Sequence, residues 1–218
     1  QKPTVIEQFA YADTWKDGTV SYLKMIYPRL ALMRELLSEK GSIYVHIDWH
    51  VGHYVKILLD DIFGKENFRN EVIWYYGGPS PVKNSFAKKH DNIFFYSKSI
   101  NYSFRQQYKD KLPNYLFERA RKDNDGRLWV DQNLGNLTQE TIFKMQEENR
   151  IFITTNGNLR RKQYLDEMLG DQIHDVWDDL SIINSQAIER LEYTTQKPEK
   201  LLERIIKASS NENSIVAD

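Results

Sequence analysis

The first third of the chain contains apolar residues at helical spacing and a short apolar segment between them. Between residues 21 and 40 they recur at helical spacing, with Pro28 inside the run and Gly41 after it. This pattern predicts a helix that kinks or restarts at Pro28 and ends on a glycine cap. The segment GSIYVHID predicts a strand, and HVGHYVKILLDDIFG predicts a second helix with Asp48 as its N-cap and Gly64 as its stop. Helix, strand and helix in this order are typical of a parallel sheet covered by helices.

Two apolar and aromatic segments follow, NEVIWYYGG and HDNIFFYSKS. The connection between them, PSPVKNSFAKKH, is too short for a crossover helix. The pattern therefore predicts an antiparallel pair of strands at one edge of the sheet. The connecting loop carries Lys83, Lys88 and Lys89 among small polar residues. Such a loop is either a solvated hairpin tip or a surface that binds phosphates, and the pattern leaves both open.

The regular alternation of strands and helices is lost between residues 103 and 190. Within this region Asn156-Gly157 is a strong two-residue turn signal between an apolar and a basic segment. A helix is then predicted from Pro198 onward, with SIVAD as the next buried strand. The predicted organisation is a first core part at 1–102, an inserted irregular region at 103–190 and a second core part at 191–218.

Composition changes this picture little but excludes some classes of protein. With 40% hydrophobic and 28% charged residues the chain has ordinary globular composition, and no segment approaches the apolar run of about 18 residues that spans a membrane. The absence of cysteine excludes disulfides and thiolate metal sites, which fits a cytoplasmic location. Because the formal net charge is -1, any contact with nucleic acid must come from local basic patches.

Histidines and an aspartate cluster after the first predicted strand. His46, Asp48, His50 and His53 lie within eight residues, but His46 belongs to the strand and the other two histidines to the start of a helix. We therefore predict no metal site. Asp48 is the more informative residue, because it stands at the carboxyl end of a predicted strand, the edge at which open α/β sheets bind ligands. Asp218, at the end of SIVAD, has the same predicted position.

Three segments together resemble a known family. They are GSIYVHIDWHVGHYVKILLDDIFGKENFRNEVIW, KKHDNIFFYSKS and YTTQKPEKLLERIIKASSNENSIVAD. They are similar to the amino-group DNA methyltransferases of bacterial restriction-modification systems, in the permuted (beta) arrangement of type III modification subunits and related adenine methylases. The likeness covers nearly the whole chain and is strongest from Thr195 to Pro198 with the helix and strand that follow.

The resemblance implies a fold and an order of motifs. The implied fold is a Rossmann-like sheet that binds S-adenosylmethionine, with an antiparallel edge hairpin and an inserted target-recognition region. In the family a catalytic Asp-Pro-Pro-Tyr/Phe loop precedes the segments present here, and a glycine loop follows the position of Asp218. Neither motif occurs in the sequence. We therefore expect a fragment of the enzyme that is inactive alone, and we assign no catalytic residue.

The implied reaction transfers the methyl group of S-adenosylmethionine to the exocyclic amine of an adenine that is flipped out of double-stranded DNA. Two alternatives stay open. One is methylation of the cytosine amine. The residue that best distinguishes the two enzyme types is the first residue of the catalytic loop, and the sequence does not contain that loop. The other is a truncated homologue that binds DNA or a protein partner without catalysis. Implied partners are a second copy of the chain or a restriction subunit.

The resemblance also implies the site residues. The cofactor would be bound near its methionine end by Thr195, Gln196, Lys197 and Pro198, with Asp218 at the start of the glycine loop. DNA phosphates require cations and flipped bases require aromatic faces. The candidate DNA contacts are therefore the loop and strand residues Lys83, Lys88, Lys89, Arg160, Arg161 and Lys162, with Tyr96 as a wall of the base pocket.

Overall fold

A computed structural model describes residues 18–109, 111–191, 193 and 195–218. The α-helices within them are α1 (Thr19–Leu36), α2 (Gly52–Phe63), α3 (Asn114–Arg119), α4 (Gln139–Glu147) and α5 (Glu199–Ser209). The strands are β1 (Ser42–Ile47), β2 (Phe68–Tyr75), β3 (His90–Ser97), β4 (Arg121–Lys122), β5 (Leu128–Gln132), β6 (Ile151–Ile153), β7 (Leu159–Tyr164) and β8 (Val176–Trp177). Two compact units contain these elements. Of the described residues, unit 1 comprises those up to Gln107 together with those from Ile173 to Asp218, and unit 2 comprises those from Tyr108 to Gln172.

The sheet of unit 1 has the strand order β1-β3-β2-β8. β3 pairs antiparallel with both β1 and β2, while β2 pairs parallel with β8. The predicted antiparallel pair is confirmed, but its predicted position at the edge is wrong, because β3 lies inside the sheet. β3 is buried along most of its length, and an interior position gives such an apolar strand a hydrogen-bonded neighbour on each side. As a result β1, β2 and β8 run in the same direction.

Helices cover both faces of this sheet. On one face α1 and α2 pack on β1 and β3 around Leu30, Val55, Leu59 and Phe94. On the other face Leu201 of α5 joins a cluster that includes Trp74, Ile93 and Trp177. The arrangement is mixed α/β, as the sequence predicted.

Three local predictions differ from the structure. α1 continues through Pro28 and is capped by Leu37, so Gly41 is not its cap. The N-cap position of α2 is Val51, and the Asp48 carboxylate instead accepts a hydrogen bond from the His50 amide at 3.0 Å. SIVAD is not a strand: Ile215 is 99% exposed, and no strand of the described chain pairs with it. An apolar segment forms a stable strand only where another strand supplies hydrogen bonds.

Unit 2 contains a separate antiparallel sheet with the order β4-β5-β7-β6. The predicted turn at Asn156-Gly157 is confirmed, because Gly157 has a φ of 78° and lies in the connection between β6 and β7. One face of the sheet packs on α3 through Val130, Leu116 and Leu165.

Ion pairs link the loops of unit 2 to this sheet. The Asp123 carboxylate accepts hydrogen bonds from Tyr164 Oη at 2.6 Å and Lys162 Nζ at 2.9 Å, which lowers the pKa of Asp123 to about 2. Arg150 and Arg127 both donate to the Glu167 carboxylate, and its pKa is also lowered to about 2. An open cleft of about 530 Å³ is lined by four of these residues and four neighbours: Asp123, Arg127, Arg150 and Tyr164, with Asn124, Asp125, Glu148 and Asn149.

We expect Leu59→Ala to lower the free energy of unfolding by about 3 kcal/mol, because Leu59 is fully buried and the truncation leaves a cavity. Ile57 lies on the same helix but is 65% exposed, so Ile57→Ala should stay within about 0.5 kcal/mol of wild type. Urea unfolding measures both. Equal losses in the two variants would contradict the packing of α2 on the sheet.

We expect Asp123→Asn to reduce the loss of folding stability that unit 2 undergoes as the pH falls. The folded carboxyl has a pKa of about 2 against an ordinary value of 3.8, so the unfolded chain binds more protons and stability falls as the pH falls. The stability that the charge contributes is complete above about pH 4 and is lost towards pH 2. Urea midpoints measured from pH 5 to pH 2 should therefore converge between wild type and variant. A difference that stays constant with pH would count against this assignment.

Candidate functional site

One edge of the unit 1 sheet collects polar and aromatic side chains. β1, β2 and β8 end there, and antiparallel β3 begins there. Asp48 and Trp49 follow β1, Tyr76 follows β2, and Asp91 lies at the start of β3. This is the edge at which open α/β sheets bind ligands, and it is therefore the candidate site.

The Asp91 carboxylate connects two strands at this edge. His46 Nε2 lies 2.9 Å from one carboxylate oxygen of Asp91, and Tyr76 Oη donates to the other at 3.4 Å. Burial of the phenol and the nearby Asp91 charge raise the pKa of Tyr76. The His46 ring also meets Trp74 edge to face, with 5.5 Å between centroids. These contacts fix the end of β1 relative to the end of β2.

Trp49 is an aromatic side chain at this edge that sequence reasoning missed. Its ring stacks on His50 with centroids 3.5 Å apart, and Lys88 Nζ lies 3.3 Å from the ring centroid. Trp49 remains 37% exposed. His50 is in turn held by Asp48, whose carboxylate lies 3.2 Å from His50 Nδ1. The signal in the sequence was the position of Trp49, one residue beyond the Asp48 that marked the strand end.

The predicted loop cations belong to the same edge, because their loop joins the end of β2 to the start of β3. Lys88 lies over Trp49, as described, and Lys89 Nζ donates to the Pro79 carbonyl at 2.8 Å. Lys83 is exposed. The sequence did not predict the contact of Lys88 with Trp49, and the role of the three lysines as phosphate contacts stays a prediction.

The prediction that Tyr96 forms a wall of a base pocket is wrong. Tyr96 is 0% exposed and packs against Phe63 and Phe68 with centroid distances of 5.6 and 5.2 Å. Its hydroxyl donates to Asp60 at 2.6 Å, and burial raises its pKa. A ring enclosed in this way has no face available for a base. Its position within a long apolar strand already favoured a place in the core.

The three basic residues of β7 differ in their availability. Lys162 is 8% exposed and pairs with Asp123, so the prediction that it contacts phosphate is wrong. Arg161 donates to the Gln132 side chain at 2.7 Å, and Arg160 lies 3.5 Å from the Asp131 carboxylate. Both arginines are partly exposed, and their role in binding DNA stays a prediction.

The turn before α5 brings together four of the five predicted cofactor residues. Lys197 Nζ donates to the Thr195 carbonyl at 2.9 Å, and Pro198 occupies the N-cap position of α5. Gln196 donates to the Glu189 carbonyl and accepts from the Leu191 amide. The Glu189 carboxylate accepts from the first amide of α5, that of Glu199, at 2.9 Å. Asp218, the fifth residue, is exposed beyond the helix, and its predicted place at the end of a strand is wrong because SIVAD forms no strand.

These contacts show that the start of α5 suits a carboxylate, because one already binds its first amide. The Lys197 ammonium uses one of its three donors within the turn. The turn thus offers a cation to an anionic group, while the Glu189 carboxylate already occupies the first helix amide. Among the described residues no cluster of histidine, aspartate or glutamate side chains could hold a metal ion, and no helix there is long and apolar enough to cross a membrane.

Comparison with known proteins agrees with this architecture. Residues 10–218 match the family described as DNA methylase. The type II methyltransferase M.EcaI of Enterobacter cloacae is 29% identical over 97% of this chain and 52% of its own length. The type III restriction-modification enzyme EcoP15I Mod subunit of Escherichia coli is 28% identical over 67% of this chain and 22% of its own length.

A third relative is the type III StyLTI Mod subunit of Salmonella typhimurium, 23% identical over 91% of this chain and 36% of its own length. The chain therefore spans about half the length of these relatives or less. Because the family match covers nearly the whole sequence, the chain belongs to the amino-group (N6/N4) DNA methyltransferases of restriction-modification systems.

Proposed function

We propose that the protein transfers a methyl group from S-adenosylmethionine to the exocyclic amine of adenine in double-stranded DNA. The observation that carries this proposal is the edge of the unit 1 sheet, which holds Asp48, Trp49 and Asp91 together with a basic loop whose Lys88 lies over Trp49. Such an edge combines an aromatic face for a base with cations for phosphates. The family match supports the reaction class.

The turn from Thr195 to Pro198 is proposed to bind the methyl donor, with Asp218 as a further contact. S-adenosylmethionine would supply an electrophilic methyl group and carries a carboxylate at its methionine end. Lys197 would attract that carboxylate through the donors that it does not use within the turn, while Glu189 occupies the first amide of α5. Gln196 would hold the turn in place through its two hydrogen bonds to Glu189 and Leu191.

Trp49 is proposed to stack on the flipped base in place of Tyr96. Its ring is partly exposed and already lies under a cation. Lys88 is long enough to leave the ring for a phosphate, which would free one face of the indole for a base. Lys83 and Lys89 belong to the same loop and would contact neighbouring phosphates. No residue of the chain is assigned to the chemical step itself.

Unit 2 is proposed to be the target-recognition region that the sequence predicted at 103–190. Its small antiparallel sheet carries several arginines on exposed or partly exposed positions. The names of the relatives describe restriction-modification enzymes and Mod subunits, so we propose that the whole protein acts in such a system. A second copy of the chain or a restriction subunit is the proposed partner, and the proposed location is the cytoplasm.

The identity of the methylated base is the test of the proposed function. We expect the protein, expressed from its complete reading frame, to transfer labelled methyl from S-adenosylmethionine to duplex DNA and to yield N6-methyldeoxyadenosine on nucleoside digestion. N4-methyldeoxycytidine as the product would instead establish the cytosine alternative. DNA binding without incorporated label would support a homologue that does not catalyse.

We expect Lys197→Gln to raise the Kd for S-adenosylmethionine several-fold, because the variant loses the cation that faces the carboxylate. Lys200→Gln is the matched control, since Lys200 is an exposed lysine in the first turn of the same helix. Equilibrium dialysis with labelled cofactor measures both, and urea midpoints check that both variants fold. Equal Kd values for the two variants would exclude a special role for Lys197.

A further inference from the structure

Arg121 has surroundings that differ from those of the other arginines in unit 2. Arg119 and Arg160 lie near the Asp131 carboxylate, Arg127 and Arg150 bind Glu167, and Arg161 donates to Gln132. Among the described residues Arg121 has no carboxylate or amide partner, and it is exposed on β4. Its charge and its donors are therefore available to a ligand.

Two aromatic rings support the Arg121 guanidinium. Its central carbon lies 5.3 Å from the centroid of Trp129 and 5.4 Å from that of Phe152. The two rings contact each other with centroids 4.9 Å apart, and Trp129 is buried. Arg121 is also the direct cross-strand neighbour of Trp129. Cation–π contacts of this kind orient the guanidinium plane and leave its N–H donors unused.

β4 lies at the edge of its sheet and is hydrogen-bonded only to β5 within the described chain. A ligand can approach an edge strand without displacing another element. On the proposed function, in which unit 2 reads the DNA target, the ligand is a base pair in the major groove. The commonest specific contact there is a bidentate pair between an arginine fork and the O6 and N7 atoms of guanine. A guanidinium held on two rings loses little rotational freedom when it makes that pair.

We propose that Arg121 reads a guanine of the target sequence. This inference rests on the proposed function and assigns the specificity of one position in the target to one side chain. Lys122 provides a matched comparison. It is the next residue of the same strand, also exposed, and lies over no aromatic ring of the described chain. Its side chain points to the opposite side of the strand, so it would add charge but no base contact.

The probe is a pool of DNA duplexes with a randomised central segment, from which sequences are selected by binding and then read. Wild type should enrich one sequence. Arg121→Gln should lose the preference for guanine at one position by about tenfold or more, while the other positions keep theirs. Arg121→Lys should weaken it, because an ammonium can reach O6 and N7 but lacks the planar fork that the two rings hold in place. Lys122→Gln should keep every preference and at most weaken binding to all sequences alike, with a shallower salt dependence.

Three results overturn the assignment. One is Arg121→Gln with an unchanged preference at every position, and another is a loss of affinity that is equal for all sequences. The third is a wild type that methylates DNA but enriches no sequence. A wild-type protein that neither binds nor methylates DNA would instead refute the proposed function. Thermal unfolding should show that all variants fold, since both side chains are exposed.

Discussion

The position of β3 in the middle of its sheet determines where the candidate site lies. β3 forms backbone hydrogen bonds with β1 on one side and β2 on the other, and helices cover both of its faces. Because β3 is antiparallel to both neighbours, its first residues lie beside the last residues of β1 and β2. Asp91 at the start of β3 can therefore contact His46 of β1 and Tyr76 after β2. Without this interior strand the polar groups would not share one edge.

The sequence predicted local elements well because their signals are local. The apolar and aromatic composition of β1 to β3 and the glycine stop of α2 each depend on a few neighbouring residues. The order of strands could not be predicted in the same way, since it depends on pairing between distant residues, such as Ser42 with Ser97. SIVAD also shows that strand formation depends on distant residues. Its residues favour a strand, but the described chain gives it no neighbour to pair with.

The prediction that Lys162 contacts phosphate failed because a carboxylate distant in the sequence pairs with it. Lys162 looks like a phosphate contact in the sequence, but Asp123 pairs with it from 39 residues away. Patterns among neighbouring residues do not indicate an ion pair between residues this far apart in the sequence. Arg121 shows the opposite case, because aromatic rings rather than carboxylates hold it. A ring orients a cation without cancelling its charge. Whether a basic residue can bind a ligand therefore depends on its partner in the fold, and the number of basic residues in a segment does not show this.

The start of α5 illustrates how an internal contact changes the role of a predicted site residue. The first amide of the helix is already used by Glu189, so a ligand carboxylate at that amide must displace a carboxylate of the same charge. Exchanging one anion for another at a helix end yields little net free energy. Lys197 has donors left beyond its bond to Thr195, so it offers an attraction that Glu189 does not cancel at the same atom. We therefore expect the lysine, rather than the helix amide, to contribute most to the affinity for an anionic ligand in this turn.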